Sequence, residues 1–121
     1  MPGSIDHKSQ AVHNENLLHE DLFKSGKTMY CDWVVTISFY SALHLIDGVL
    51  AADFGCAYIY SHGSRRSLVD KHLSEGAKDV FGLYEALYND SRRARYDCTQ
   101  MTEKQASHAV NLFTQIKAKL K

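Results

Sequence analysis

The stretch from Tyr30 to Ala52, YCDWVVTISFYSALHLIDGVLAA, is apolar along most of its length yet places a polar side chain on nearly every turn. Wound as a helix at ~100° per residue, it gathers Val34, Val35, Phe39, Ala42, Leu45, Ile46 and Val49 into a broad apolar arc. The opposite arc holds Asp32, Thr36, Tyr40, His44 and Asp47, with Trp33, Ile37 and Ser41 at its margins. A helix apolar over so much of its circumference must be surrounded by other helices. Its polar stripe then faces water in a groove or finds buried partners, and it is the first place to expect a functional site.

The flanking sequence supplies those helices. Residues 1–8 hold the only proline and a glycine and read as a disordered tail. From Ser9 to about Lys24, Val12, Leu17, Leu18, Leu22 and Phe23 fall at helical spacings, and Gly26 offers a stop. The glycine-bounded segment from Gly55 to Gly63 reads as a loop, after which Ser64 is a plausible N-cap for a short helix ending at Gly76. From Asp79 the pattern places Val80, Leu83, Tyr84, Leu87, Tyr88, Ser91 and Arg95 on one side of a fourth helix. Thr102 with Gln105 forms a capping box before the stripe Ala106, Ala109, Val110, Phe113, Ile116 and Leu120. With no strand pattern in competition, 9–121 reads as one all-α domain, an up-and-down antiparallel bundle of four to five helices.

Composition narrows the function classes. Lys plus Arg and Asp plus Glu balance at 14 each, so any polyanion contact must come from a local basic patch. Cys31, Cys56 and Cys98 are odd in number, widely spaced and without a CxxC, which points to free thiols in a reducing, cytoplasmic setting. Ser41, His44 and Asp47 interrupt the apolar run, which leaves it well short of a membrane span. No acidic residue has a histidine three positions later, and no His-x-x-x-His pair occurs, so neither a metal nor another cofactor is expected.

Two constellations remain. His44, with Tyr40 one turn before it, is either a core histidine satisfied by a hydroxyl or carbonyl of another helix, or a general acid/base or nucleotide contact. The other is basic: Ser61, His62, Arg65 and Arg66 surround the start of the third helix, and Ser91, Arg92, Arg93, Arg95 and Tyr96 end the fourth. Arginine suits bidentate phosphate contacts, and a neighbouring tyrosine can stack on a base. Spacing puts Ser91 and Arg95 on one face and directs Arg92 and Arg93 elsewhere, as cations favoured at a helix C-terminus.

Taken together, DWVVTISFYSALH, SHGSRRSLV and LYNDSRRARY resemble the HEPN superfamily of small helical domains, over nearly the whole chain. The resemblance implies a helical bundle, frequently a homodimer, that binds nucleotide or RNA. In many members it implies a metal-independent endoribonuclease of a toxin-antitoxin or defence system with a nucleotidyltransferase partner. Ribonuclease members share an arginine followed after four to six residues by a histidine, a spacing met here by Arg66 and His72 and by Arg65 and His72. The resulting expectation assigns proton transfer or catalysis to His44, Arg95 and His62. It assigns phosphate or nucleotide binding to Arg65, Arg66, Ser91, Tyr96 and Tyr40. The alternative is a non-catalytic dimerisation or protein-interaction module, since Tyr30, Tyr58, Tyr60, Tyr84, Tyr88 and Tyr96 are also interface residue types.

Overall fold

The central stretch folds as the expected helix, α2 (Cys31–Phe54), in the computed structural model, which describes residues 3–20, 23, 30–56, 59, 61–97 and 100–120. Gly55 closes it in the left-handed region at φ 69°, and the N–H of Cys56 returns to the Leu50 carbonyl at 3.0 Å. Val34, Val35, Phe39, Ala42, Ile46 and Val49 are buried as the apolar arc requires, and Leu45 is half-buried. Around α2 stand α1 (Ser4–Leu18), α3 (His62–His72), α4 (Phe81–Tyr96) and α5 (Glu103–Lys119), with no strand among the described residues.

Side-chain pairs fix the directions. Ser4 meets Gly48 and His7 meets His44, so α1 runs antiparallel to α2. Tyr40 meets Arg95, and Tyr84 lies in the field of Asp47, so α4 is antiparallel to α2 as well. Cys31 approaches Glu103 at the two helix starts, which makes α5 parallel to α2. The result is the expected up-and-down all-α bundle, with short α3 laid against α2 and α4.

Three expectations are corrected. Helix α1 begins at Ser4, inside the segment read as a disordered tail, because its anchors are polar and leave no apolar period. The Asp6 carboxylate accepts the Gly3 N–H at 3.0 Å, and the Ser4 hydroxyl donates to the Gly48 carbonyl at 2.8 Å. The helices approach closely there: a Cβ on Gly48 would lie 3.1 Å from Lys8 Cγ and 3.3 Å from the Ser4 carbonyl oxygen. Helix α1 also ends at Leu18, short of Lys24, while Leu22, Gly26, Tyr58, Tyr60 and Cys98 lie outside the described residues. Second, α3 is capped by Ser61, whose hydroxyl oxygen accepts the Ser64 N–H at 3.1 Å, so Ser64 lies within the first turn. The capping box of α5 forms as expected, with Thr102 and Gln105 exchanging bonds of 3.1 and 2.8 Å.

The third correction concerns α2 itself, which is long and apolar enough by composition to cross a membrane. Its most apolar window is 67% buried among the other helices, the burial expected of a core helix.

Candidate functional site

The polar stripe of α2 divides its partners between two sides. Tyr40 and Asp47 turn toward α3 and α4, where a groove of about 420 Å³ is lined by Phe39, Tyr40, Leu43, His62, Arg65, Tyr88, Arg92, Arg95 and Tyr96. His44 turns toward α1. Its Nδ1 lies 3.1 Å from Nδ1 of His7, and the ring centroids are 5.4 Å apart.

Arg95, on the last turn of α4, is held by its own helix and by α2. Its Nη1 donates to the Tyr40 hydroxyl at 3.0 Å and to the Tyr96 hydroxyl at 3.4 Å, and its Nε donates to the Ser91 carbonyl at 3.3 Å. The guanidinium carbon sits 4.9 Å from the ring centre of Tyr96 and 5.5 Å from those of Phe39 and Tyr40. Among the described residues no carboxylate pairs with it and no acceptor meets Nη2.

Arg65, on the opposite wall, is already satisfied. Nε and Nη2 bind the two oxygens of Asp47 at 2.7 and 2.9 Å, with side chains only 11% and 4% exposed. Burial pulls its pKa down, but the Asp47 hydrogen bonds and charge more than offset this, so the guanidinium is held as a cation. Beside it, the fully buried Tyr84 lies with its hydroxyl 2.8 Å from Nδ1 of His62. The His62 ring stacks on Tyr88, centroids 3.3 Å apart and planes within 4°. Burial lowers the His62 pKa; Glu85 opposes this, and Arg65, Arg66 and Arg92 add to it.

Of the residues expected from sequence, the groove brings together Tyr40, His62, Arg65, Arg95 and Tyr96. It does not include His44, which is taken by His7. Ser91 follows Leu87 into the core; its hydroxyl is fully buried without a hydrogen-bond partner, and only its backbone carbonyl reaches Arg95. Arg66 pairs with Glu85 at 3.0 Å and lies over the Phe81 ring, outside the lining. His72 stacks on Phe54, so the Arg66 and His72 spacing does not assemble a pair. Arg92, directed elsewhere by the sequence reading, lines the groove. Its spacing of three from Arg95 was the available signal.

The His7 and His44 pair gives the fold a pH dependence whose sign follows from geometry. Burial lowers the His44 pKa, the charge of His7 adds to this, Asp47 opposes it, and Arg65 lowers it further. A histidine with a folded pKa below its ordinary 6.5 binds fewer protons folded than unfolded. Its contribution is therefore intact above pH 6.5 and lost as pH falls from there through the folded value. Urea midpoints measured from pH 8 to 5 should fall on the acid side, and His44→Gln should flatten that fall. Equal slopes in both proteins would remove the pair from the explanation.

An all-α bundle with an arginine-bearing aromatic groove is what the fold and site define. No family model, curated protein or solved structure matches the chain.

Proposed function

We propose that the groove binds RNA or a nucleotide through a phosphate, as a HEPN-like domain would. The observation that supports this reading is Arg95, a cation fixed by aromatic faces and hydroxyls and facing a groove that no carboxylate lines among the described residues. Arg92 adds a second positive charge on the same wall, and Tyr96, 65% exposed, offers a face for a base. Arg65 shapes the wall from its pairing with Asp47 and leaves the phosphate to Arg95.

Ribonuclease activity of the toxin-antitoxin kind, with a nucleotidyltransferase partner, belongs to the same proposal. Metal-independent cleavage of RNA needs proton transfer at the 2′-hydroxyl and leaving oxygen and a cation beside the phosphorane. Among the described histidines His62 alone lines the groove, so it is the histidine that would meet a phosphate there.

A labelled single-stranded RNA, titrated by anisotropy, tests the binding. Arg95→Ala should weaken it about tenfold, the worth of one charge-assisted hydrogen bond. It should also lower the salt slope by about 0.7, as expected for one phosphate contact on a single strand. Arg93→Ala, a control whose guanidinium is tied to Asp90, should leave binding unchanged. Equal loss in both variants would mean bulk charge and no site. Incubation of mixed RNA in chelator with wild type, Arg95→Ala and His62→Ala tests cleavage separately. Ile5 at 82% and Val12 at 56% exposure favour a second reading, an assembly surface on α1, to which failure of RNA binding would transfer the weight.

A further inference from the structure

We propose that Tyr84 is a positioning residue that holds His62 as a neutral imidazole protonated on Nε2. The groove then meets His62 as a hydrogen-bond donor to a phosphate oxygen, with no basic nitrogen free to take a proton. The inference rests on the phosphate reading above for its ligand, but its tautomer statement stands on side-chain geometry alone.

The Tyr84 hydroxyl is fully buried, so its proton needs an acceptor inside the protein. Of its neighbours, the Arg65 guanidinium can only donate, and Asp47 acts on the phenol through its charge, without a hydrogen bond. His62 Nδ1, at 2.8 Å, is the acceptor that remains among the described residues. An imidazole accepting on Nδ1 is neutral only with its proton on Nε2. The phenol keeps its proton throughout: burial first, opposed by the Arg65 charge, lifts its pKa to about 12. The flat stack on Tyr88 covers one face of the imidazole and fixes its plane. His62 and Arg95 line the same groove, which lets one phosphate accept from Nε2–H and from Nη2 together.

Long-range ¹H–¹⁵N correlation spectra of the whole chain at pH 7.5 read the tautomer directly. The expected wild-type pattern has an unprotonated Nδ1 and a protonated Nε2 for His62. In Tyr84→Phe the ring should relax toward a mixture of tautomers and titrate at higher pH, because nothing then donates to the neutral form. RNA affinity should fall about fivefold, the worth of one neutral hydrogen bond. A proton on Nδ1 in the wild type overturns the proposal without requiring any variant to fold. So does a tautomer unchanged by Tyr84→Phe. Were the tautomer as expected and wild-type RNA binding absent, the phosphate reading would fail and the Tyr84 role would stand.

Discussion

Asp47→Ala should lower the free energy of unfolding by about 3–5 kcal/mol, because it strips the counter-ion from a buried guanidinium and leaves the charge in place. Asp47 and Arg65 are 4% and 11% exposed, so water cannot take over the lost contacts. Against a total stability of about 5–15 kcal/mol for an ordinary domain, such a loss brings the protein near unfolding at room temperature. The pair itself need not be stabilising relative to an apolar core. The double variant Asp47→Leu with Arg65→Met should therefore recover most of the loss, since it removes both charges and fills the space. Urea unfolding of the single and double variants measures both quantities. A single-variant loss within about 1 kcal/mol of zero would show that Arg65 finds water or another acceptor once Asp47 is gone.

Phe39→Ala should cost a similar amount, about 3–5 kcal/mol, by opening a cavity at the centre of the bundle. Phe39 is 2% exposed, its ring centre 5.2 Å from that of Tyr40, 5.7 Å from Tyr88 and 6.1 Å from Tyr84. The same ring lies beneath Arg95 at 5.5 Å, so one residue serves both core and groove. Phe39→Leu separates the two roles. It keeps most of the apolar volume and should cost under about 1.5 kcal/mol. It also removes a π face from Arg95, which should weaken RNA binding about two- to fivefold. Thermal unfolding beside anisotropy distinguishes these effects; Phe39→Leu with unchanged RNA affinity would mean that Tyr40 and Tyr96 suffice to hold the guanidinium.

Much of the fold was legible because it follows from period. The apolar arc of Val34, Phe39, Ala42, Ile46 and Val49, and the Thr102–Gln105 box, are local signals that the bundle preserves. The start of α1 was not legible, since Ser4 and His7 are held by a carbonyl and an imidazole of α2 more than thirty residues away in the chain. The cap of α3 was misplaced because Ser61 and Ser64 are both chemically fit, and only the backbone shows which accepts.

For the site, residue types were readable and pairings were not. Arg65 and Arg95 look alike in sequence, yet Asp47 neutralises one, while hydroxyls, a carbonyl and aromatic faces meet the other. His44 looked the better histidine because it lies on the central helix. The packing of α1 gave it a partner, leaving His62 to the groove. Tyr84, which decides what His62 can do, was visible only as one more aromatic of a helix stripe.

The two arginines also determine how the groove responds mechanically. Arg65 ties α3 to Asp47, and Arg95 ties α4 to Tyr40, seven residues and so about 10 Å apart along one rigid helix. Both walls are thus fastened to a common floor, and neither can swing without breaking a charged or hydrogen-bonded tie. Two ties to one helix hold the width of the groove to what the packing of α2, α3 and α4 sets.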